Sequence, residues 1–463
     1  MIYDLVIKNG SVVCFSPDRL LNNVNIGILN GVIHKIAPEV MIGKIVIDAS
    51  GKIISPGFID FHSHVDGNRF SAERVLLQGA TTTIGGERSF DGKAIRKIYE
   101  LGFLINQGFF ISHSFTLRRA VGIKDPYHSA DSQEISGMLT LAEKFFERGS
   151  FGIHFGLEFV PGTSEAEIIE LARLAKQYDR IVTVHLRKDG QEALDSLDEI
   201  IAIADKTQAS IHILHLMYMV GFQGVMESAL KKIRDARMRG LDITADTGIY
   251  AAFPSFIGSS ILDNDWEKHY GKDISEKNLM ISSGINAGQF CDKESFERLR
   301  EDFPNTLITA FVCDEPEIKR ALKEDYVFVS TNAADGPHYE NMGHPETAGT
   351  FPKLIHKYVR EEGTIELLEA IKKITVYPAE RFGIKQKGNL LEGYDADIVI
   401  FDNETIEDKA DYVGKGNPNE PPAGIDYVIV NGVIVAQNGT ITQNQNAGRM
   451  IENLVGFTRG DED

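Results

Sequence analysis

The first fifty residues alternate apolar and polar positions between turn-forming residues, as in Asp4-Leu5-Val6-Ile7-Lys8-Asn9-Gly10 and Val24-Asn25-Ile26-Gly27-Ile28-Leu29-Asn30-Gly31. A period of two with Asn-Gly punctuation predicts short antiparallel strands. The same pattern returns near the other end in Asp397-Ile398-Val399-Ile400-Phe401-Asp402 and in Tyr427-Val428-Ile429-Val430-Asn431-Gly432-Val433-Ile434-Val435. Neither terminal segment alone has enough strands to bury an apolar face, so the two are expected to form one discontinuous β-sandwich, residues 1–55 with 384–463.

The middle, residues 56–383, changes character: apolar runs alternate with helical patterns, the signature of βα units. Strands are predicted at Ile53–Phe61, Ala80–Gly86, Gly108–Phe115, Phe151–Leu157, Ile181–Leu186, Ser210–Leu216, Leu241–Thr247 and Tyr326–Asn332. Eight such units predict an α/β fold, a closed (β/α)8 TIM barrel. A ninth strand-like run, Leu307 to Cys313, falls in an insertion between the seventh and eighth units. After the fourth strand, Ser164-Glu165-Ala166-Glu167 reads as a capping box ahead of the stripe Ile168, Ile169, Leu171, Ala172 and Leu174. The Asn/Gln-rich tail from Gln437 carries no assigned chemistry.

A chain of 463 residues suits a large domain with a smaller one. A net charge of −19 excludes a basic, phosphate-binding surface, so nucleic acid is not an expected partner. Cys14, Cys291 and Cys313 are odd in number and far apart, which suggests neither a disulfide framework nor a cysteine zinc motif. The N-terminus lacks the pattern of a secretion signal and no apolar run reaches membrane-spanning length, so a cytoplasmic protein without a membrane partner is expected. A homo-oligomer is compatible with this composition.

The candidate chemistry sits at predicted strand ends, where barrel enzymes place their working groups. Gly57-Phe58-Ile59-Asp60-Phe61-His62-Ser63-His64 ends an apolar run with two histidines spaced by one residue. In a strand both imidazoles share a face, giving half of a metal site. His185 closes the fifth strand and His215 the sixth. Single histidines there are commonly core residues, but two on consecutive strand ends beside a His-x-His point to ligation. His212, three residues before His215, and His154 are expected to be structural. Beyond the eighth strand, Asp335 in Ala334-Asp335-Gly336 is either a turn aspartate or a metal ligand and general base. A nitrogen-rich site with carboxylates favours zinc, one or two ions per chain, with manganese or iron as alternatives.

Several motifs together resemble the amidohydrolase superfamily and, within it, the N-acyl-D-amino-acid deacylases. They are Pro56 to His64, Gln78-Gly79-Ala80-Thr81-Thr82-Thr83, Ser112-His113-Ser114-Phe115-Thr116-Leu117-Arg118, Gly156 to Gly162, His185-Leu186-Arg187, Leu214-His215-Leu216, Gly349-Thr350-Phe351-Pro352 and Gly393 to Val399. The resemblance implies that His62 and His64 hold one metal, that His185 and His215 hold the other, and that Asp335 is ligand and base. The reaction it implies is hydrolysis of an amide C–N bond in a small-molecule N-acyl-D-amino acid. Cyclic amides and isoaspartyl dipeptides are the alternative substrates, and a scaffold without activity is the alternative of another class.

Two departures from the family pattern bear on function. The cysteine ligand expected after the second strand is missing from Ile84-Gly85-Gly86-Glu87-Arg88-Ser89, so Glu87 is expected to bridge the metals in its place, the alternative being a loop glutamate paired with Arg88 beside a single metal. Basic residues expected after the sixth and eighth strands are replaced by Met217 and Glu346. Arg88, Arg118 and Arg187 are then the candidates for binding a substrate carboxylate, with His113 and Tyr250 as further substrate contacts.

Overall fold

The computed structural model describes the chain except for residues 66–67, 87–101, 264–265, 275–276, 334–340, 443–445 and 454–463. Glu87, Arg88 and Asp335 therefore lie outside the described residues. The chain divides into two compact units, one made of residues 1–84, 96–107 and 328–450, the other of 85–95, 108–327 and 451–463.

In the first unit, the two ends of the chain share one sheet. Strands β1 (Ile2–Phe15), β2 (Asp18–Leu29), β3 (Val32–Ala37), β4 (Ile42–Asp48) and β5 (Ile53–Pro56) come from the N-terminal segment. The C-terminal segment adds β18 (Ile398–Phe401), β19 (Ile425–Val430), β20 (Val433–Gln437) and β21 (Thr440–Ile441). The order is β21-β20-β19-β18-β5-β1-β2-β3, with β4 also pairing β1. The seam is antiparallel β18 on β5, from Ile398 opposite Pro56 to Phe401 opposite Ile53. Leu5, Ile7, Ile26, Ile28, Ile398 and Ile400 meet in its core, the apolar positions of the alternating pattern.

Turn chemistry explains the hairpins. Asn30 and Gly31 have φ of 52° and 78°, and Asn431 and Gly432 have 47° and 78°. Two consecutive positive φ values make a type I′ turn, whose twist matches that of the flanking strands. Asn9-Gly10 behaves differently from the expected turn. β1 runs through it, with Asn9 at φ 67° and register shifts on both sides of Gly10. A Cβ on Gly10 would lie 2.4 Å from Ile54 Cδ1, so the packing of β5 demands a bulged glycine there. β4 also departs from the expected antiparallel arrangement, pairing parallel to β1.

Each predicted βα strand has a counterpart, but the first is split: Ile53–Pro56 joins the terminal sheet as β5, and only Phe58–Asp60 opens the βα series. β6 (Phe58–Asp60) and β7 (Ala80–Gly85) pair in parallel. The third predicted strand is broken into β8 (Asn106–Phe109) and β9 (Ile111–Ser112). β10 (Gly152–Gly156), β11 (Ile181–His185), β12 (Ile211–Ile213) and β13 (Ile243–Thr247) follow, each parallel to the one before from β9 onward. Just ahead of the eighth, β17 (Val327–Val329), Ala245 N donates to Tyr326 O. The strand-like run in the insertion is real but outside this series: β16 (Leu307–Ala310) lies antiparallel between β14 (Phe253–Phe256) and β15 (Leu279–Ile281).

The helix after β10 spans Glu165–Gln177 and buries Ile168, Leu171, Ala172 and Leu174. At about 25 cal/mol per Å2 of apolar area, each buried leucine or isoleucine on this face contributes roughly 1.5–3 kcal/mol. Its cap is half of the expected box. Ser164 accepts from Glu167 N, but the Glu167 side chain turns inward to His113 and Arg118, because a buried guanidinium needs a carboxylate more than an exposed amide does.

Candidate metal centre and active site

In the first unit, hydrogen bonds continue past the end of β6. Asn332 N donates to His62 O at 3.0 Å, Ser63 N to Ile84 O at 3.3 Å and His64 N to Ala333 O at 2.7 Å. Bonds that alternate between two neighbours are those of a strand inside a sheet, as the His-x-His spacing requires. His62 is 1% exposed, and its ring centroid is 5.8 Å from that of His64, the planes crossing at 78°. Below them Asp60 is fully buried and accepts from Thr331 N at 3.1 Å and Thr331 Oγ1 at 2.5 Å. Burial pushes its carboxyl up to about 6 against the pull of those bonds. The clamp fixes the segment that leads toward Asp335.

In the second unit, His185 ends β11 and its ring lies edge-on to that of His215 at 4.5 Å. The two are 8% and 6% exposed. β12 stops at Ile213, and His215 has left the strand at φ 35° and ψ 57°, capping the short helix Leu216–Val220. A non-glycine residue in the left-handed region is strained and needs holding in place. Asp246 on β13 does this by accepting from His215 N at 2.8 Å. The other Asp246 oxygen lies 3.2 Å from His212 Nε2, and His212 Nδ1 is 2.7 Å from Thr244 Oγ1. His212 and His154, which is 3.2 Å from Thr183 Oγ1, are therefore bonded within the strands, consistent with structural roles.

Two buried acids at this end carry a role the sequence reading did not give them. Asp246 is one, and Glu158 is the other. Glu158 sits in the turn Leu157–Phe159 after β10, with Oε2 2.6 Å from His185 Nε2. Burial, reinforced by the charge of Asp189, raises its carboxyl well above the ordinary range. Its signal was a carboxylate inside the Gly156 to Gly162 motif, at a strand end.

The proposed substrate groups are largely engaged. Arg118 is 1% exposed and donates to both Glu167 oxygens, at 2.8 and 3.0 Å, and to His128 O at 2.5 Å. His113 is fully buried, 2.7 Å from Glu167 Oε1, with its ring tilted 30° to that of Phe155 at 4.5 Å. Burial lowers its pKa and keeps the ring neutral. Arg187 grips Glu199 with two bonds of 3.0 and 2.7 Å and also donates to Pro161 O. Tyr250 is 3% exposed in the turn after β13. Met217 is fully buried, and Glu346 is 1% exposed, accepting from Asn332 Nδ2 at 3.2 Å.

Each unit thus holds a closely spaced pair of imidazoles beside a buried carboxylate, donors of the kind that suit zinc, which binds histidine nitrogen at about 2.0–2.1 Å. Among the described residues no group of three or more histidine, cysteine or carboxylate side chains forms a complete cluster. Parallel βα strands ending in paired histidines describe a metal-binding barrel of the hydrolase kind. The sequence pattern of the amidohydrolase family matches residues 53–435, and the chain belongs to that family.

Among curated relatives, D-aminoacylase of Alcaligenes xylosoxydans xylosoxydans is 30% identical over 444 residues, spanning 88% of each chain. N-acyl-D-glutamate deacylase of the same organism is 28% identical over 423 residues, 84% of each. Among solved structures, a D-aminoacylase that defines a novel subset of amidohydrolases superposes with a TM-score of 0.84 at 25% identity, over 97% of this chain and 100% of that one. N-acyl-D-glutamate deacylase from Bordetella bronchiseptica, complexed with zinc and a phosphonate mimic of the tetrahedral intermediate, gives 0.83 at 23% identity, over 98% and 100%. The fold is accordingly a (β/α)8 TIM barrel with an additional β domain built from both termini.

Proposed function

We propose that the protein is a metal-dependent N-acyl-D-amino-acid deacylase, a hydrolase of non-peptide C–N bonds. The observation that carries this reading is 30% identity with D-aminoacylase across 88% of both chains, in a chain that retains a histidine pair at each expected strand end. His62 and His64 would hold one ion and His185 and His215 the other, with Glu87 as the carboxylate ligand in place of the missing cysteine. Zinc at these residues would polarise the amide carbonyl and make water more acidic. Asp335 takes the proton from the attacking water and returns it to the leaving nitrogen. A C–O bond forms, the C–N bond breaks, and a carboxylic acid and a D-amino acid result.

Because Arg118 and Arg187 are already paired with Glu167 and Glu199, Arg88 is the favoured partner for the substrate carboxylate. His113 and Tyr250 remain as groups that shape the pocket or touch the acyl chain. The small-molecule substrate needs neither nucleic acid nor membrane, and no helix among the described residues is long and apolar enough to cross one. The test is a panel of N-acyl-D-amino acids, their L-enantiomers, hydantoins and isoaspartyl dipeptides, read by amine release. Preferential hydrolysis of N-acyl-D-amino acids is expected; turnover confined to hydantoins or dipeptides would reassign the substrate class.

A further inference from the structure

We infer that Glu158 is a positioning residue that holds His185 in the tautomer required of a metal ligand; this rests on the metal-dependent reading above. The placement follows from register. β10 and β11 are parallel with Gly156 opposite His185, so the first residues beyond β10 come alongside the last side chain of β11. The turn is pinned on both sides. Ser114 Oγ bridges Gly156, donating to its carbonyl at 3.1 Å and accepting from its N–H at 3.0 Å, while Ser260 Oγ donates to Glu158 O at 3.3 Å. The Phe159 ring, 4.9 Å from the His185 ring, limits rotation of the imidazole.

A neutral imidazole has one N–H and one lone pair. When a metal takes the lone pair of one nitrogen, the proton must sit on the other. Nε2 faces Glu158 at 2.6 Å, so Nε2 carries the proton and donates it to the carboxylate, and Nδ1 is the nitrogen presented to the ion. Carboxylate–histidine–metal arrangements of this kind fix ring orientation and raise ligand basicity.

The bland alternative is a structural hydrogen bond between two core groups. Against it stands the cost of the acid. The Glu158 carboxylate is 9% exposed, and among the described residues no arginine or lysine pairs with it. A buried acid whose one side-chain partner among the described residues is a ring nitrogen is costly to keep there. A cation on the far side of that ring makes the N–H a stronger donor and offsets the cost.

The experiment uses the full chain, stripped of metal and titrated with zinc against a chromophoric chelator, as wild type, Glu158→Gln and Glu158→Ala. Removing such a partner typically weakens metal binding about 10–100-fold. Glu158→Ala is expected to fall in that range, with Glu158→Gln between it and wild type because the amide keeps an acceptor oxygen. The number of zinc ions bound and the unfolding midpoint of the metal-free protein should hold. In a His185→Ala background, Glu158→Ala should add no further loss. Equal affinities in all three proteins, or a full loss in the His185→Ala background, would make Glu158 merely structural. Disappearance of a whole zinc equivalent in Glu158→Gln would instead make it a direct ligand. If wild type itself takes up no zinc, the metal-dependent reading fails and this inference fails with it.

Discussion

Replacing Arg118 with methionine separates a structural guanidinium from a substrate-binding one. Both Glu167 oxygens receive Arg118 Nη1, and the carboxylate is fully buried. Without the guanidinium, the remaining partner of Glu167 among the described residues is His113, whose ring is held neutral by burial and cannot balance the charge. Removing one member of a buried ion pair costs about 3–5 kcal/mol, most of it the uncompensated charge. Urea denaturation should show a lower midpoint with an unchanged slope. KM for an N-acyl-D-amino acid, measured well below the transition, should stay within about twofold, since the lost interaction is not one made to substrate. Replacing Glu167 with leucine in the same protein should recover part of the stability, because the stranded charge is gone. Near-normal stability with a large rise in KM would refute this reasoning and place Arg118 in the substrate pocket.

Other predictions rest on separate parts of the molecule. Burial opposes the charge on His269, but the bond and charge of Asp189 prevail and raise its pKa above 6.5. The stabilisation is therefore complete below pH 6.5 and lost as pH rises through the higher folded value. The difference in melting temperature between wild type and His269→Gln should shrink on going alkaline; a widening gap would be the wrong sign. At Gly432, φ is 78° and a Cβ would sit 2.8 Å from Gly31 Cα, so Gly432→Ala should cost at least about 1–2 kcal/mol in chemical denaturation. Glu87→Ala should halve the metal content in elemental analysis and abolish activity, whereas unchanged loading would remove Glu87 from the site.

What the sequence conveyed depended on whether the signal was local. Asn30-Gly31 and Asn431-Gly432 announce their hairpins because two adjacent residues decide the turn, and His62-x-His64 announces its shared face because a strand repeats every two residues. Asn9-Gly10 misled for the same reason: the dipeptide reads as a turn, and only Ile54 packing on it from a strand forty residues away turns it into a bulge. Glu158 was invisible as a partner of His185 until the register of two parallel strands was known. The commitments of Arg118 and Arg187 were hidden likewise, since a cation near a strand end reads as a substrate clamp until its carboxylate appears on a distant helix. His215 looked like a strand residue, but its left-handed backbone is set by Asp246, which belongs to the next strand.

The central claim is best tested by stripping the protein with chelator and adding zinc stepwise while following release of a D-amino acid from its N-acyl derivative. Activity should vanish on stripping and return in proportion to zinc bound per chain, with the L-enantiomer remaining a poor substrate. Full activity in the stripped protein, or zinc uptake with no hydrolysis of any N-acyl-D-amino acid, would contradict the account.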